Sequence, residues 1–571
     1  MPLAWSFKYI VPSTYTVVAS GHLYSKQVEA ADSKRALFHY KLKDGEMAPA
    51  AKLGFLVGEF PEIQILTELP QVELAHAFFT SPDKHSLFNQ GSKFFEKHIA
   101  SILQYLQTKL ICEPYPFRSL KLVFLPNLFL KDSRKQSLDY FGGLHLLDEE
   151  LLFPRNLQEG RHRAFKHLAC AIAFDYFGGR VYEESPDDLW LLLGIRESIG
   201  NHFKILKCGV LLYRYHIMKT IDSVYRKAKH GFERNPVHNA NVLPNELLLN
   251  ELVYEKCELI MHMLESMIDK SYFEKILREL YRQAAPLAST ALFKRIFKQV
   301  CGFKLKQFAQ NWLSKTSCPK LTVQYCYNKK NNSLDLTLTQ ESAAREGLTF
   351  RSRIQEALDS NELLTRPFLR KDPLHMSSGD SPASKTLRKI EGGANKFAVE
   401  LRRCCGRWFE GEVNVMLYLT DGADISTQQQ KMSLKHGENQ VSINIPLAVK
   451  VKKTIQNKKK EYESLQLHED DEDDEDEASH DKAKAGLLDN NTWKFGMNDY
   501  ELEDYPITTK TIFDVKNLES SVLWIRVDPD MEYIRRVKVR QEPNNWLFQL
   551  LLEKDIIGQI EAVRQVYKQR P

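Results

Sequence analysis

The residues best suited to hold a catalytic metal in this 571-residue chain are its 17 histidines and nine cysteines. A helical zinc site of the HExxH type needs two histidines four residues apart, so that both side chains share one helix face. No two histidines have that spacing, and His162 and His167 are five apart, about 140° around a helix. The sequence also has no CxxC pair, GxSxG elbow or P-loop. We therefore expect no metal and no other cofactor.

Charge is distributed unevenly along the chain. The formal net charge is +5, but residues 469–477 are nine consecutive acidic residues, which leaves +14 on the remainder. A body this basic favours anionic partners through its electrostatic field. Lysines and arginines that simply solvate the surface would explain the same composition equally well.

The cysteine spacing and the N-terminal sequence both indicate an intracellular protein. The cysteines are spread along the chain without a paired pattern, which is typical of free thiols in a reducing compartment. The N-terminus lacks the basic segment and apolar core of a secretory signal. No apolar stretch approaches the roughly 20 residues that a membrane helix needs.

Hydrophobic patterning predicts two regions in the first 318 residues. Residues 1–60 alternate apolar and polar side chains, as at Trp5, Phe7 and Tyr9, which predicts β-strands. Residues 61–318 start with a mixed pattern and become mainly helical, with a strand predicted at 120–125 and helices at 165–177, 247–268, 272–282 and 291–313. The last of these helices is basic and amphipathic, which is more typical of a surface helix than of a nucleic-acid contact.

Three further regions follow. Residues 319–449 and 520–541 predict a β-sandwich, with strands at 321–327, 334–338, 398–401, 412–419, 441–445 and 522–527. Residues 450–519 are expected to form a disordered linker, in which a lysine-rich half precedes the acidic run. Either the two halves pair or recruit partners, or the linker is a plain solvated loop. Residues 542–571 show a helical pattern, which predicts the start of a further helical region.

Several short segments resemble the gluzincin aminopeptidases, the aminopeptidase N and leukotriene A4 hydrolase type. Residues 176–179 (YFGG) match the turn after the HExxH helix, and residues 188–194 (DLWLLLG) match the helix with the third ligand. The resemblance implies that Cys170 and Phe174 stand at the two histidine ligands, Ala171 at the general base and Leu193 at the glutamate ligand. A catalytic zinc site keeps three protein ligands, so the resemblance implies an inactive pseudo-aminopeptidase.

Two other family motifs are altered to different extents. Residues 142–146 (GGLHL) stand at the GxMEN segment, which places His145 where the family has the glutamate that anchors the substrate's ammonium group. An imidazole cannot replace that carboxylate. Residues 254–257 (YEKC) keep the family's tyrosine as Tyr254, which without a metal is better interpreted as a structural residue near the start of a helix.

A second resemblance covers the whole chain, loosely before residue 60 and in the inserts. The degenerate aminopeptidase body, the charged insert and residues 523–531 (LWIRVDPDM) with 534–537 (IRRV) resemble the large TBP-associated factors of the general transcription factor TFIID. Against the family pattern, most of the N-terminal β domain and the C-terminal helical repeats are absent, as expected of a fragment, an isoform or a shortened gene prediction.

Together the two resemblances imply an α+β multidomain fold. Its parts are a remnant β domain (1–60), a thermolysin- or aminopeptidase N-like α/β-to-helical domain (61–318), the β-sandwich, and the start of a HEAT- or ARM-like helical region (542–571). The second resemblance implies a nuclear, non-catalytic scaffold that contacts other TFIID subunits and core-promoter DNA around the initiator. The candidate DNA-contacting residues are Arg161, Arg163, Lys294, Arg295, Lys298, Lys304, Lys306, Arg535, Arg536, Lys538 and Arg540.

Two alternatives remain open at this point. One is a zinc metallo-aminopeptidase with an unorthodox site. The other is a cytoplasmic scaffold that uses the degenerate groove as a peptide-binding cleft. The second depends on whether the space around Cys170, Phe174 and Leu193 is open or filled.

Overall fold

The structure is a computed structural model that combines helices with several β-sheets. It describes residues 3–28, 34–42, 47–59, 62–64, 74–79, 97–125, 137–148, 151, 157–229, 251–284, 286–313, 319–341, 410–420, 425–435, 438–448 and 521–568. Within those ranges no helix is both long enough and apolar enough to cross a membrane. The predicted strand at 398–401 and the predicted linker lie outside the described residues.

Five described N-terminal strands form two small antiparallel sheets. β1 (Ser6–Pro12), β4 (Arg35–Lys41) and β3 (His22–Val28) make one sheet, and β2 (Thr16–Ala19) pairs with β5 (Phe55–Gly58) in the other. The strands predicted from the alternating pattern of this region are confirmed, since β4 alternates buried and partly exposed side chains.

A five-stranded sheet follows and carries one edge of the candidate site. Its order is β6 (Glu62–Gln64), β7 (Leu74–Phe79), β8 (Ser119–Leu125), β10 (Leu144–Asp148) and β9 (Ser137–Tyr140). The three inner strands are parallel and the two outer strands antiparallel to their neighbours. Every side chain of β8 is buried, which confirms the strand predicted at 120–125.

Lys121 of β8 ties this sheet to the N-terminal strands. Its ammonium group donates a hydrogen bond to the carbonyl of Ala19 at 2.7 Å and another to the carbonyl of Gly21. Burial lowers the pKa of Lys121 to about 7, because few charges compensate the loss of hydration. The two hydrogen bonds make this lysine an internal link between sheets.

Six described helices form the next layer, and the second of them is central. They are α1 (Leu157–Tyr176), α2 (Leu189–Cys208), α3 (Val210–Lys229), α4 (Glu251–Ser266), α5 (Lys270–Gln283) and α6 (Thr290–Cys301). Two short strands between them in sequence, β11 (Tyr182–Glu183) and β12 (Leu287–Ala288), pair in parallel. α2 packs against both α1 and α4. A Cβ atom added to Gly200 would lie 2.4 Å from the sulfur of Cys170, so the close approach of α1 and α2 requires glycine there.

The single helix predicted at 291–313 is wrong. Ser289 caps α6 by accepting a hydrogen bond from the backbone N–H of Leu292, and the helix ends at Gly302, which has a φ of 83°. Glycine adopts this left-handed conformation without steric cost and so terminates helices. The chain resumes with a helical turn at Lys306–Phe308 and a π-helical turn at Ala309–Leu313.

Two sheets in the C-terminal half share one apolar core. One has the order β17 (Gln440–Pro446), β14 (Ser333–Glu341), β13 (Lys320–Asn328) and β19 (Arg536–Arg540). The other has the order β16 (Ile425–Leu434), β15 (Gly411–Thr420) and β18 (Val522–Val527). Buried residues of both sheets belong to the same hydrophobic cluster. β16 was not predicted, because its sequence ISTQQQKMSL is mostly polar.

The last two helices, α7 (Pro543–Leu552) and α8 (Ile556–Lys568), are joined to the rest by arginines. Arg526 of β18 pairs with Glu553 at 3.5 Å and with Asp555 at 2.9 Å. Arg214 of α3 makes two hydrogen bonds of 2.9 Å to the same Asp555 carboxylate and donates to the carbonyl of Pro529 at 2.8 Å. The LWIRVDPDM segment is therefore the joint between the strand layers and the helices.

Candidate functional site: a filled aminopeptidase-like centre

The positions implied for the zinc ligands and the general base lie on α1 and α2, and their side chains are buried. Cys170 and Phe174 are 3% and 7% exposed, and Leu193 is 2% exposed. The thiol of Cys170 donates to the carbonyl of Arg196 at 3.4 Å, so the two helices are in direct contact at this level. Ala171 is completely buried. The side chains around which the peptide-cleft alternative needs an open space are thus buried.

An arginine lies over the aromatic ring at the centre of this site. The guanidinium carbon of Arg196 is 4.9 Å from the ring centroid of Phe174, a distance at which a cation is attracted to the ring face. The imidazole of His145 meets the same ring edge-on, with centroids 6.3 Å apart. Phe174 therefore packs against both a guanidinium and an imidazole.

His145 lies between two carboxylates. Its Nδ1 atom is 3.0 Å from Oδ1 of Asp139, and its Nε2 atom is 2.9 Å from Oδ2 of Asp175. Arg196 forms an ion pair with the other oxygen of Asp139, and the Tyr115 hydroxyl donates to Oδ2 of Asp175 at 2.7 Å. Two carboxylates and two basic side chains thus form one buried chain of hydrogen bonds.

The pKa values in this chain of hydrogen bonds follow from its geometry. Burial alone would lower the pKa of His145, but Asp175 and Asp139 outweigh it and raise the pKa to about 9. Burial opposes ionisation of Asp139, but Arg196 and His145 hold its pKa at about 2. His145 is therefore a cation at neutral pH, paired on both sides, and has no lone pair free for a metal or for a proton from a substrate.

Tyr254 lies in the first turns of α4, close enough to Arg196 for the two charges to interact. Burial raises the pKa of Tyr254, and the nearby Arg196 opposes that shift without cancelling it. Burial likewise raises the pKa of Cys170 well above its usual range. Both groups are held in their protonated forms, so neither a phenolate nor a thiolate is present to act at neutral pH.

A second charged cluster lies one helical turn along α1, α2 and α4 from Cys170, Leu193 and Tyr254. No sequence motif indicated this cluster. The ammonium group of Lys166 pairs with Glu197 at 2.9 Å and with Glu258 at 2.7 Å. Nε2 of His216 is also 2.7 Å from Oε1 of Glu258. The sequence held one signal for this cluster, which is helical spacing. Lys166, Glu197 and Glu258 stand four residues from Cys170, Leu193 and Tyr254, respectively.

Charge pairing sets the ionisation of this second cluster. Burial opposes a charged Lys166, but Glu197 and Glu258 raise its pKa above its usual range. Burial opposes an ionised Glu258 as well, and Lys166 and His216 hold its pKa well below the usual range. Across the described ranges, no group of three or more His, Cys, Asp or Glu side chains is arranged to hold a metal ion.

The contacts among the described residues do not group the predicted DNA-contacting residues at one place on the molecule. Arg163 is exposed on α1, and the side chain of Arg161 lies outside the described residues. Around α6, Lys294 is half-buried, and the exposed members are Arg295, Lys298, Lys304 and Lys306. Arg295 has one weak contact, a hydrogen bond of 3.4 Å to Gln283.

The group predicted on β19 needs one correction. Arg536, Lys538 and Arg540 share the exposed face of the strand, as its period-2 pattern predicts. Arg535, however, is buried and pairs with Asp528 at 2.9 Å, with its guanidinium carbon 5.0 Å from the ring centroid of Tyr533. A buried, paired guanidinium cannot reach a phosphate, so Arg535 is removed from the candidate set.

Comparison with known proteins agrees with both resemblances. The sequence model of the TAF2 Ig-like domain family matches residues 316–542. The chain is 21% identical to "Transcription initiation factor TFIID subunit 2" of Gallus gallus and 22% identical to that of Danio rerio, in each case over 99% of this chain and 40% of the relative. The corresponding protein of Schizosaccharomyces pombe is 20% identical over 79% of this chain and 34% of the relative.

Among solved structures, the fold is similar to the crystal structure of Legionella pneumophila aminopeptidase A in complex with aspartic acid. The TM-score is 0.60 at 12% identity, covering 99% of this chain and 48% of that one. This likeness shows an aminopeptidase-like fold and carries no information about activity. The chain spans about 40% of the length of the chicken and zebrafish relatives. The resemblance predicted from the sequence is therefore confirmed: the chain is similar to the TFIID subunit 2 proteins along nearly its whole length, and its residues 316–542 match the TAF2 Ig-like domain model.

Proposed function

We propose that this chain is a non-catalytic scaffold subunit of TFIID that acts in the nucleus, in transcription initiation by RNA polymerase II. It contacts other TBP-associated factors and core-promoter DNA around the initiator. The names of the relatives support the assignment to TFIID, and the match over 99% of this chain supports applying it to all the regions described.

One observation carries the non-catalytic part of the proposal. At the position implied for the second zinc-binding histidine, the chain has Phe174 with the cationic Arg196 beside it. Both side chains are buried, and the Asp139 carboxylate is already paired with Arg196, so it is not free to act as a metal ligand. A divalent cation at that place would repel the guanidinium strongly at short range in a poorly solvated interior. The aminopeptidase-like fold is therefore interpreted as a body kept for its surfaces.

Purification of the tagged chain from nuclear extract tests the role in TFIID. We expect TBP-associated factors to co-purify in stoichiometric amounts and to remain bound after nuclease treatment, because protein contacts rather than bridging DNA would hold them. Recovery of the chain without any of these factors would contradict the proposal.

The alternative of an unorthodox zinc aminopeptidase is tested on the purified protein. We expect far less than one equivalent of zinc per chain. We also expect no chelator-sensitive cleavage of aminoacyl substrates. Stoichiometric zinc together with chelator-sensitive cleavage would overturn the proposed non-catalytic role.

A further inference from the structure

The outer face of the N-terminal three-stranded sheet carries cations. Phe38 and Tyr40 of β4 are buried beneath the sheet, which leaves His39 and Lys41 on the opposite face. Lys8 of β1 stands directly opposite His39 in the strand pairing, so its side chain belongs to the same outer face and is exposed there. Two lysines and an imidazole therefore lie side by side on adjacent strands.

Tyr24 of β3 reaches the same outer face from the other side of β4. The pairing of β3 with β4 is irregular between Leu23 and Ser25, and such an irregularity changes the direction of a side chain. The ring of Tyr24 meets the imidazole of His39 at a steep angle, with centroids 5.2 Å apart. The ammonium group of Lys41 is 4.0 Å from the Tyr24 ring centroid. Tyr24 nevertheless remains 62% exposed. The outer cluster is defined as Lys8, Tyr24, His39 and Lys41.

The charge of the outer cluster is positive. Lys8 and Lys41 make no ion pair with any residue that the structure describes. None of the described residues up to position 58 is acidic, and the acidic residues at 29, 32, 44 and 46 lie outside the described ranges. Partial burial lowers the pKa of His39, and the charges of Lys41 and Lys8 lower it further. Both lysines therefore act on the centre of the cluster, where an anion would be attracted.

We propose that the outer cluster binds single-stranded nucleic acid, with a base stacked on Tyr24 and phosphates paired with Lys8 and Lys41. Proteins that bind single strands combine aromatic side chains, on which bases stack, with cations that follow the backbone. An acidic peptide would pair with the lysines as well, but it has no ring to stack on Tyr24. The exposed tyrosine among unpaired lysines therefore favours a nucleic acid over a peptide.

Sheet geometry places the three contacts in a row across the strands. The strand order is β1, β4, β3, so a strand of nucleic acid that crosses the sheet meets Lys8, Lys41 and Tyr24 in turn. Lys8 stands opposite His39, and Lys41 lies two residues further along β4. Such diagonal neighbours are roughly 7–8 Å apart. Their side chains are long and flexible, so both can reach successive phosphates.

This inference goes beyond the proposed function and does not rest on it. The proposed function concerns duplex promoter DNA, and its candidate cations lie on α1, around α6 and on β19. The bases of a duplex are stacked inside the helix and cannot cover the ring of Tyr24. Failure of promoter binding would leave this inference standing, and failure of this inference would leave the role in TFIID untouched.

Fluorescence anisotropy with the full chain tests the proposal. The probes are a fluorescein-labelled oligothymidylate of about 12 nucleotides, a length within the range that single-strand binding folds cover, and a duplex of the same length. We expect the oligothymidylate to bind and to be released as the salt concentration rises. Unlabelled oligoglutamate of equal charge should compete much less effectively than unlabelled oligothymidylate.

Tyrosine variants test the stacked base. Tyr24→Leu keeps an apolar side chain but removes the ring, and it should weaken oligothymidylate binding by at least about fivefold, the lower end of what stacking on an aromatic side chain contributes. Tyr24→Phe keeps the ring and should bind normally. The control, Tyr272→Leu, removes another exposed tyrosine, on α5, and should also bind normally.

Lysine variants test the phosphate contacts. Lys8→Gln with Lys41→Gln should make the slope of log K against log salt less negative by about 1.4, since each lost contact with a single strand changes it by about 0.7. The control, Lys329→Gln with Lys330→Gln, removes the same charge from exposed positions between β13 and β14 and should leave the slope unchanged. If a variant does not fold, Lys8→Gln alone should change the slope by about 0.7.

Three results would overturn the proposal. They are unchanged binding by Tyr24→Leu, an unchanged salt slope when Lys8 and Lys41 are replaced, and competition by oligoglutamate that equals competition by oligothymidylate. A duplex that binds as tightly as the single strand and loses as much affinity in Tyr24→Leu would contradict it too, because paired bases cannot stack on the ring.

Discussion

Nε2 of His145 lies 2.9 Å from Oδ2 of Asp175, and this contact joins β10 of the five-stranded sheet to the end of α1. By the aminopeptidase resemblance, residue 145 stands where a glutamate would anchor the substrate. A glutamate at that place would lie against Asp139 and Asp175 and would be repelled by both. The histidine therefore fits a site in which the inner strand β10 is hydrogen-bonded to helix α1 instead of to a substrate.

The first prediction concerns the stability that His145 contributes. His145→Gln removes the cation shared by Asp139 and Asp175 and leaves two buried carboxylates with only Arg196 and hydrogen bonds to balance them. We expect the free energy of unfolding to fall by about 3 kcal/mol, since breaking a buried ion pair is strongly destabilising. Urea unfolding followed by intrinsic fluorescence measures this decrease. The control is His39→Gln on the N-terminal sheet, expected to change stability by less than about 0.5 kcal/mol.

The second prediction is the pH dependence of the same site. Because the pKa of His145 is raised from 6.5 to about 9 in the folded chain, its contribution is complete below pH 6.5 and disappears as the pH rises through about 9. A shift of this size corresponds to about 3 kcal/mol. The stability difference between the wild type and His145→Gln should therefore shrink between pH 6 and pH 10. A difference that stays constant over this range would contradict the assignment of a charged His145.

The local structure could be predicted from the sequence wherever one periodic pattern of apolar residues dominates a segment. The run at 120–125, apolar except for Lys121, lies within β8, and residues 522–527 are β18 with the predicted bounds. The polar β16 could not be predicted, because its burial depends on β15 and on the facing sheet. The end of α6 at Gly302 was available from the sequence, since a glycine inside a helical pattern is a common stop signal.

The inner partners of the site were much harder to predict. Asp139, Asp175 and Arg196 come from a short strand and two different helices, and pairing across such distances leaves no periodic trace. A weak signal did exist, because Asp175 and Arg196 stand within otherwise apolar helical stretches, where charged residues are rarely buried unless they are paired. The degenerate motifs pointed to this region, but they did not show which charged side chains lie inside it.

The third prediction concerns the cluster around Lys166. Lys166→Met leaves Glu197 and Glu258 buried without their shared cation, and we expect the free energy of unfolding to fall by about 3–5 kcal/mol. Adding Glu258→Gln should restore part of that stability, because one uncompensated charge is then removed. The double-mutant cycle should give a coupling energy above about 1 kcal/mol. Effects that merely add would show that the two residues do not act as a pair.

The fourth prediction compares two arginines that pair with acidic side chains near the C-terminal helices. Arg526→Met breaks ion pairs in which the arginine is 2% exposed, and it should lower the free energy of unfolding by about 3 kcal/mol. Arg564→Met breaks the pair with Asp222, whose members are 41% and 50% exposed, and should cost less than about 1 kcal/mol. Thermal unfolding of both variants, monitored by circular dichroism, measures the difference. Equal destabilisation by the two substitutions would refute the role of Arg526 as the joint between β18 and α7–α8.

The last prediction separates the two exposed cationic surfaces as DNA-binding sites. Binding of the chain to a promoter duplex should weaken as salt rises, because cations that bind phosphates release the counterions of the DNA. Each phosphate-binding cation that a mutation removes should make the slope of log K against log salt less negative by about 0.9. If β19 binds the DNA, Arg536→Gln, Lys538→Gln and Arg540→Gln together should change the slope by up to about 3 units. The matched control around α6, Arg295→Gln with Lys298→Gln and Lys304→Gln, should leave the slope unchanged. The reverse result would place DNA on α6, and no change in either variant would remove both surfaces from the proposed promoter interface.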